Sequence, residues 1–239
     1  MKAVLLAAGK GERLGSLTAE TPKPMVAIDG KPVIEWNIEL CKKHGIDEIY
    51  VNLHHLPDVI QDHLGDGQKF GVSIAYSYEK KLLGTAGGVK QFSSHLQDAP
   101  FFVIYSDNWS DYDLRSIHAH HKNKGSEMTI GLFHLEEVRH SGVAVLNDED
   151  RILEFVEKPT ENPPPSHWVN SGIYLVEPKL LSSIPSGPCD FGKEVIPNWL
   201  DSGVSVYGIK MEEKVIPIDT PQMLKNAKTR DSFDPNESP

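Results

Sequence analysis

Residues 7–25, AAGKGERLGSLTAETPKPM, decide the fold of the first part of the chain, because this glycine-containing loop follows a short apolar run. The run, residues 2–8, is far shorter than a membrane span and is predicted to be a buried first strand. Gly9 and Gly11 lack a Cβ, so the backbone N–H groups of the loop can approach phosphate oxygens closely. A strand that ends in such a loop predicts a binding site for a polyanion.

Cationic side chains follow the two glycines. Arg13 can donate two parallel hydrogen bonds to phosphate oxygens. Pro22 and Pro24 restrict the backbone on either side of Lys23, so its ammonium group is held as a fixed point charge. A surface loop with solvated cations is the alternative interpretation of this stretch taken alone.

Two familiar phosphate-binding patterns do not match this loop. In a P-loop the lysine directly follows the last glycine, whereas Lys10 lies between Gly9 and Gly11. In a dinucleotide fingerprint a third glycine follows the second by three residues, and Leu14 occupies that position. A hydride-transfer enzyme is therefore not expected.

The composition limits the partners and the location. The 239-residue chain carries a formal net charge of −10, so no nucleic-acid partner is expected, because such binding needs a basic footprint. No apolar run approaches a membrane span and no export signal is recognised, so no membrane partner and a cytoplasmic location are expected. The two cysteines, Cys41 and Cys189, are too few for a disulfide framework or a metal site, and Cys41 is expected in the core.

Helix and strand patterns alternate in the first half of the chain. Strands are predicted at residues 2–8, 48–53, 72–78 and 101–105, and helices at residues 31–44, 57–64, 86–96 and 113–124. This order predicts an α/β fold with a mostly parallel sheet flanked by helices. Ligands of such a fold bind at the carboxyl ends of the strands.

The second half is predicted to form a smaller antiparallel portion. Strands are expected at residues 128–135, 143–146, 152–156 and 168–176, with a turn at 147–150 and a proline-rich loop at 161–167. Short helices are expected at residues 191–200 and 221–228. We expect a single domain over residues 1–230, with halves at about 1–125 and 126–230, and a disordered tail at residues 231–239.

The string LAAGKGERL (residues 6–14), followed by TPKPM (residues 21–25), resembles the nucleotidyltransferases that activate sugar 1-phosphates. Further blocks of that family follow in its order: LGTAGG (83–88), YSDNWSD (105–111), FVEKP (155–159), VNSGIYLVEP (169–178) and CDFGKEVIP (189–197). The likeness covers nearly the whole chain and looks most like the enzymes that make GDP-heptose or GDP-mannose. It implies a Rossmann-like core and a magnesium-dependent reaction of a nucleoside triphosphate with a sugar 1-phosphate, giving a nucleotide sugar and pyrophosphate.

The resemblance also implies roles for individual residues. It implies catalysis by Arg13 and Lys23, nucleotide binding by Leu6, Ala8, Gly9, Gly11, Glu79, Gly84 and Thr85, sugar-phosphate binding by Gly142, Glu157, Lys158 and Asn170, and Mg²⁺ ligation by Asp107 and Asp219. Close approach of the sugar is also expected at Gly172.

The implied reaction needs no general base. A sugar phosphate has a second pKa near ~6 and is mostly ionised at neutral pH. The task is to hold two polyanions in line and to offset their repulsion. Arg13 and Lys23 suit the triphosphate, and Asp107, directly after the strand FFVIY, suits a magnesium ion. A helix cap or turn residue is the alternative for Asp107.

The base preference depends on Glu79. In related enzymes the position five residues before the glycine of the LGTAGG-type block faces the base, and that position is Glu79 here. An ionised carboxylate only accepts hydrogen bonds, and guanine presents N1–H and its 2-amino group side by side. GTP is therefore expected. The alternative is that Glu79 is a solvated member of the charged patch at residues 79–81.

Two positions depart from the family's pattern. Ser106 stands before the metal aspartate, where glycine is usual, which puts close backbone approach to the nucleotide in doubt. The stretch IPIDTPQML (residues 216–224) lacks the glycine of the family's Asp-x-Gly-Thr turn. Alignment on the carboxylate selects Asp219 as the second metal ligand, whereas alignment on the following Thr-Pro selects Pro217.

Other functions remain open at this point. They are a uridylyl- or cytidylyltransferase, a silent paralogue that binds nucleotide sugar and regulates a partner enzyme, and an enzyme that activates a non-sugar phosphate such as phosphocholine. The sequence does not determine the sugar epimer or the oligomeric state, for which a dimer is one option. A polar helix surface is favoured over a zinc site for His118, His120 and His121.

Overall fold

The computed structural model describes residues 1–11, 14–15, 18–212, 215–218 and 223–224. Its helices are α1 (Val33–Lys43), α2 (Pro57–Leu64), α3 (Gly84–Lys90), α4 (Leu114–Lys124) and α5 (Ile196–Asp201). Its strands are β1 (Lys2–Leu6), β2 (Ala27–Ile28), β3 (Lys31–Pro32), β4 (Glu48–Leu53), β5 (Ser73–Tyr78), β6 (Phe101–Tyr105), β7 (Asn108–Ser110), β8 (Met128–His134), β9 (Gly142–Leu146), β10 (Ile152–Glu157), β11 (Trp168–Val176), β12 (Val206–Lys210) and β13 (Val215–Pro217). The predicted helix at 221–228 lies mostly, and the predicted tail at 231–239 wholly, outside the described residues.

Nine strands form the central sheet, in the order β10-β9-β11-β6-β1-β4-β5, with β8 beside β11 and β12 beside β8. β1 is parallel to both β4 and β6, and β4 is parallel to β5, so the carboxyl ends of these four strands meet at one edge. β11 runs antiparallel to β6, β8 and β9. The predicted α/β fold, a mostly parallel sheet with a smaller antiparallel portion, is confirmed.

Both faces of the sheet are covered, which explains why its parallel strands are nearly continuous apolar runs. Helices α1, α2 and α4 pack on one face through Ile34, Ile38, Ile60 and Ile117. Helices α3 and α5 pack on the other face through Val89 and Trp199.

The prediction that Cys41 belongs to the core is confirmed. Cys41 is fully buried on α1, among the side chains that cover the first face of the sheet. Burial raises the pKa of its thiol to about 12, because the thiolate would lose its hydration.

Several predicted elements coincide with the structure, and two helices differ. The predictions at residues 48–53, 57–64, 101–105 and 168–176 match β4, α2, β6 and β11. Helix α3 starts two residues earlier than predicted and ends at Lys90, after which the chain tightens into turns with bonds from residue i to i−3. The helix predicted at 191–200 is instead a π-helical turn, Phe191–Val195, followed by α5. Pro197 explains the change, since it has no N–H to donate in a continuous α-helix.

Strand β12, which was not predicted, pairs in parallel with β8. Gly208 interrupts its apolar pattern, and in the sheet this glycine makes room for a neighbour. A Cβ at Gly208 would come within 2.5 Å of Leu132 Cδ1. The short pair β7 and β13 was also missed.

The interpretation of the histidines on α4 as a polar surface is wrong for His121. Its side chain is buried, with Nδ1 2.9 Å from Thr129 Oγ1 and Nε2 3.3 Å from Glu177 Oε1. It therefore joins α4 to β8 and to the end of β11. Within the described residues, no group of three or more His, Cys, Asp or Glu side chains could hold a metal ion, and no helix has both the length and the apolarity of a membrane span.

Candidate active site

The predicted nucleotide-binding residues lie along the edge where β1, β4, β5 and β6 end. Leu6 ends β1, Ala8 is buried just beyond it, and Gly9 is exposed. Asp107 lies two residues after β6, and Glu79 directly follows β5. Because these strands are parallel, the segments that follow them lie at the same edge of the sheet, where the strands' carboxyl ends meet.

The glycine loop is folded against Lys23. Gly11 has a φ of +66°, and a Cβ there would lie 3.0 Å from both the Cβ of Lys23 and Cγ2 of Thr18. The Thr18 hydroxyl donates to the Gly11 carbonyl at 3.0 Å. A larger residue at position 11 would therefore push the loop away from the lysine.

The structure brings Lys23 and Asp107 into contact, although 84 positions separate them in the chain. Lys23 Nζ lies 2.5 Å from Asp107 Oδ2. The lysine side chain is only 8% exposed, while the aspartate side chain is 31% exposed. The lysine is therefore buried, and the carboxylate can be reached from solvent. A fixed cation and a reachable carboxylate thus lie together beneath the glycine loop.

Ser106, where the family usually has glycine, has a structural explanation. The residue is completely buried, and both its N–H and its hydroxyl donate to the carbonyl of Leu6. The side chain therefore links the ends of β6 and β1. It is turned inward, toward the end of β1.

Arg13 and Asp219, the other predicted cation and metal ligand, lie outside the described residues. Ile218, directly before Asp219, donates its N–H to the Asp107 carbonyl at 3.1 Å. Pro217 pairs with Asn108 in the β13–β7 sheet.

Asp107 is a suitable ligand for Mg²⁺. This ion is held in proteins by one or two carboxylates together with substrate phosphates. Asp107 offers such a carboxylate just after a buried strand, in contact with the lysine that packs against the glycine loop. Its Oδ2 is engaged by Lys23, so an incoming cation would share this carboxylate with the lysine.

Glu79 is buried and holds two hydrogen bonds within the protein. Its Oε1 accepts from Asn52 Nδ2, and its Oε2 accepts from the N–H of Leu83, both at 2.8 Å. Asn52 in turn accepts from the N–H of Ala7 at 2.8 Å. Glu79 is thus a constrained side chain, and the interpretation as a solvated residue is wrong, since only 6% of its surface is exposed.

Gly84 and Thr85, at the start of α3, are joined to the segment around Asp190. The carbonyl of Cys189 accepts from the N–H groups of Ala86 and Gly87. The Thr85 hydroxyl donates to Asp190 Oδ2 at 3.0 Å and accepts from the N–H of Phe191 at 2.8 Å. The LGTAGG block therefore packs tightly on the CDFGKEVIP block.

We expect Gly84→Ala to destabilise the protein by about 3–4 kcal/mol, because it combines backbone strain with a clash. Gly84 has a φ of +71°, and a Cβ there would lie 2.5 Å from the Cys189 carbonyl oxygen. Gly203→Ala is the control, since Gly203 has a φ of +81° but no atom within 4 Å of its Cβ position. It should cost only about 1 kcal/mol. Urea unfolding would measure both, and equal losses would contradict the clash.

A second group of predicted residues lies at the ends of β9 and β10. The Glu157 carboxylate lies against two glycines, because a Cβ at either Gly142 or Gly192 would come within 2.7 Å of its Oε2. Partial burial raises the pKa of Glu157, and the nearby Asp190 carboxylate raises it further. The space beside Gly142 is therefore filled by Glu157 itself.

Lys158 adopts an uncommon backbone conformation beside this carboxylate. Its φ is +54°, its N–H donates to the Ser141 carbonyl at 3.0 Å, and Nζ lies 4.0 Å from Glu157 Oε1. A non-glycine residue in this region costs about 1–2 kcal/mol. Such strain is concentrated at ligand sites. The side chain is half exposed and can reach an anion.

Asn170 pairs with Leu132 of β8 and is the last residue before an irregular part of β11, which ends at Tyr174. Its Nδ2 donates to the Tyr174 hydroxyl at 2.7 Å, and that hydroxyl donates to the Tyr105 hydroxyl at 3.1 Å. Gly172, with a φ of +77°, makes room for Tyr105 and Asn108. Asn108 Nδ2 donates to the Ser171 carbonyl at 2.9 Å, which connects the turn of Asp107 to this strand.

Three residues that organise the candidate site were not predicted as site residues: Asn52, Tyr105 and Asp190. Asp190 belongs to the quoted CDFGKEVIP block, and its position before Phe191-Gly192-Lys193 is an N-cap pattern. That pattern was a usable signal. Tyr105 begins the quoted YSDNWSD block, but its bond to Tyr174 comes from a distant segment. Asn52 is a strand residue whose partners are also distant, and nothing in its local sequence marks it.

The sequence profile described as "Nucleotidyl transferase" matches residues 2–215. The chain belongs to the nucleotidyl transferase family. The match includes the glycine loop, the Lys23–Asp107 pair and the group around Glu157, so the resemblance inferred from the motifs is confirmed.

Curated relatives in this family act on sugar 1-phosphates, according to their names. A UTP–glucose-1-phosphate uridylyltransferase of Synechocystis is 40% identical over 91% of this chain and 60% of its own length. A mannose-1-phosphate guanylyltransferase of Arabidopsis thaliana is 37% identical over 82% of this chain and 55% of its own length. The chain therefore spans little more than half the length of these relatives.

The family assignment agrees with a solved structure. A protein from Bacillus anthracis, assigned as a glucose-1-phosphate thymidylyltransferase and solved with sucrose, has a TM-score of 0.86 at 28% identity. The likeness covers 96% of this chain and 94% of that one. The chain therefore shares the fold of this protein, whose name specifies a different base from those of the two curated relatives.

Proposed function

We propose that the protein transfers a nucleotidyl group from a nucleoside triphosphate, with GTP preferred, to a sugar 1-phosphate of the mannose or heptose type. A phosphate oxygen of the sugar 1-phosphate attacks the α-phosphorus of the triphosphate. The bond from that phosphorus to the bridging oxygen breaks, and pyrophosphate leaves. The products are a nucleotide sugar and pyrophosphate.

The observation that carries this proposal is the meeting of the glycine loop, Lys23 and Asp107. A backbone loop without Cβ atoms, a buried ammonium group and a reachable carboxylate lie together at the carboxyl edge of the sheet. Phosphoryl and nucleotidyl transfer depends mainly on positioning and charge stabilisation, which this set of groups can supply.

Lys23 would act on the triphosphate. Gly11 packs against the base of its side chain and Asp107 holds its ammonium group, so little reorganisation would accompany its contact with phosphate oxygens. A preorganised cation of this kind stabilises the charge that develops as pyrophosphate leaves. Asp107 would hold Mg²⁺, which when bound neutralises phosphate charge and orients the triphosphate.

Glu157, Lys158 and Asn170 would hold the sugar 1-phosphate. The exposed Lys158 ammonium can meet its phosphate, while Glu157 and Asn170 offer hydrogen bonds to sugar hydroxyls. The link from Asn108 to Ser171 supports a common position for the two substrates, since it joins the Asp107 turn to the strand of Asn170. The acceptor phosphate is already ionised at neutral pH, so no residue has to remove its proton.

A uridylyltransferase that uses glucose 1-phosphate is the second candidate. It is supported by the 40% identity to the Synechocystis enzyme, which exceeds the identity to the Arabidopsis guanylyltransferase. The preference for GTP rests on Glu79, whose two oxygens both act as acceptors. The two candidates differ in base and sugar and share the chemical step.

A pyrophosphate-release assay tests the proposal. Four nucleoside triphosphates are combined with mannose, heptose and glucose 1-phosphates in the presence of Mg²⁺. We expect release only when both substrates are present, with GTP at least 10-fold better than UTP in kcat/KM, an energy difference of about 1.4 kcal/mol. Highest turnover with UTP and glucose 1-phosphate would favour the second candidate. Nucleotide-sugar binding without any release would favour the regulatory alternative.

A further inference from the structure

We propose that Asn52 determines whether the side chain at position 79 accepts or donates hydrogen bonds, and through it the base that the protein accepts. Asn52 would be a positioning residue, since it touches Glu79 and not the base. This inference rests on the proposed function and deepens it. It concerns a hydrogen-bonded chain of four groups, from the N–H of Ala7 through Asn52 and Glu79 to the N–H of Leu83.

The orientation of the Asn52 amide is fixed by Ala7. Its Oδ1 lies 2.8 Å from the backbone nitrogen of Ala7, which can only donate. The oxygen of the amide must therefore face Ala7. Its Nδ2, at 2.8 Å from Glu79 Oε1, must then be the donor toward the carboxylate. Asn52 is buried, with 2% of its surface exposed, so no water competes for these bonds.

The other end of the chain is fixed in the same way. Glu79 Oε2 accepts from the N–H of Leu83 at 2.8 Å. Both oxygens of Glu79 are therefore required as acceptors. A glutamine at position 79 would turn its amide nitrogen toward either Asn52 Nδ2 or the Leu83 N–H, and each arrangement sets a donor against a donor.

Neither side chain has room to escape this arrangement. A Cβ at Gly88 would lie 2.5 Å from Asn52 Nδ2 and 3.0 Å from Glu79 Oε1, so the backbone of α3 closes over the pair. The backbone of Glu79 is held as well, with its N–H donating to the Leu53 carbonyl and its carbonyl 2.8 Å from His54 Nδ1.

The chain of four groups could be satisfied in two ways. Two backbone donors stand at its ends, so one amide and one carboxylate must lie between them. Asparagine at 52 with glutamate at 79 is one solution, and aspartate at 52 with glutamine at 79 is the other. Asparagine and aspartate have the same shape, as do glutamate and glutamine, so the hydrogen-bond network alone does not require the carboxylate at position 79.

The two solutions differ in what position 79 offers to a ligand. Glutamate presents its remaining lone pairs as an acceptor-only edge, which matches the adjacent N1–H and 2-amino donors of guanine. Glutamine would present one acceptor and one donor, which matches the N3–H and a carbonyl of uracil. With position 79 facing the base, as the proposed function requires, the choice between the two edges belongs to the pair of residues 52 and 79.

The test is a double-mutant cycle of Asn52→Asp and Glu79→Gln. Each single variant should lower the urea midpoint. In Asn52→Asp two buried acceptors face each other, and in Glu79→Gln two buried donors do. The double variant should recover most of the native midpoint, since every donor again meets an acceptor. Asn198→Asp with Glu161→Gln is the control, because both of these side chains are exposed and the net charge change is the same.

Nucleotide selectivity is measured on the native chain and on the double variant, by pyrophosphate release and by equilibrium binding of GTP and UTP. The ratio of kcat/KM for GTP to that for UTP should fall at least 10-fold in the double variant and stay unchanged in the control. An unchanged ratio in a stable double variant would overturn the specificity role of Asn52.

The stability results stand apart from the proposed function. Strictly additive losses in the two single variants would overturn the polarity argument itself. If the stability losses of the two single variants are non-additive while the native chain releases no pyrophosphate with any substrate pair, the proposed function fails. The GTP-to-UTP binding ratio then still decides whether residues 52 and 79 select the base.

Discussion

Replacing Lys23 with alanine is expected to reduce kcat by about 10²–10³-fold while the protein remains folded. The side chain is 8% exposed, packs against the glycine loop through its Cβ and places its ammonium group 2.5 Å from Asp107 Oδ2, so the positive charge is held in a fixed position. Substrate would still bind through the remaining contacts, so kcat should fall more than KM rises. Steady-state pyrophosphate release would measure both constants.

The same variant leaves Asp107 without this partner, which should lower the free energy of unfolding by about 1–2 kcal/mol. Circular dichroism and urea unfolding would separate that loss from the loss of turnover. Lys42→Ala is a matched control, since Lys42 is an exposed lysine at the end of α1 that donates to the Gly71 carbonyl. A Lys23→Ala variant with nearly native turnover would overturn the assignment of this site.

Replacing Asp107 with asparagine is expected to reduce kcat/KM by about 10³-fold and to abolish tight binding of a divalent cation. Asparagine keeps the shape of the side chain but not its negative charge, and Mg²⁺ in proteins is held mainly by carboxylates and substrate phosphates. Lys23 also loses the anion that lies 2.5 Å from its Nζ. Titration with Mn²⁺, followed by electron paramagnetic resonance, would report cation binding independently of turnover.

Asp98→Asn is the control for this variant. Asp98 is 82% exposed and pairs with Lys2 at the opposite, amino end of β1, so its loss should change neither cation binding nor turnover. If Asp107→Asn bound Mn²⁺ as the native chain does, Asp107 would have no part in the metal site. Equal losses in both variants would point to a general effect of charge.

The sequence was sufficient where a segment's own pattern determines its structure. Residues 101–105, FFVIY, form a short continuous apolar run, which is the pattern of a central strand covered on both faces. Helix α2 begins at Pro57 and ends at Leu64 before Gly65, and proline and glycine mark these positions in the sequence. The π-helical turn before Pro197 could have been suspected, but strand β12 could not, because its pairing with β8 depends on how Gly208 fits against Leu132.

The same distinction applies to the site. The motifs pointed to Lys23 and Asp107 because each lies next to prolines or at a strand end, and these are local signals. The positions of Asn52 and Tyr105 follow from hydrogen bonds to segments 27 to 69 positions away, which no local pattern records. Sequence thus predicted the charged groups that would meet phosphates, and the structure was needed to find the polar residues that hold them.

Strand β11 has a consequence for any attempt to divide this protein. Within the described part of the chain, it is the strand through which β8, β9, β10 and β12 join β6, β1, β4 and β5. A fragment that stops near residue 125 would leave β6 with an open row of backbone donors and acceptors on an apolar strand. Such an edge recruits other chains. The two halves are therefore poor candidates for split-protein reporters or for transplantation one at a time, and they should be exchanged between relatives only as a whole.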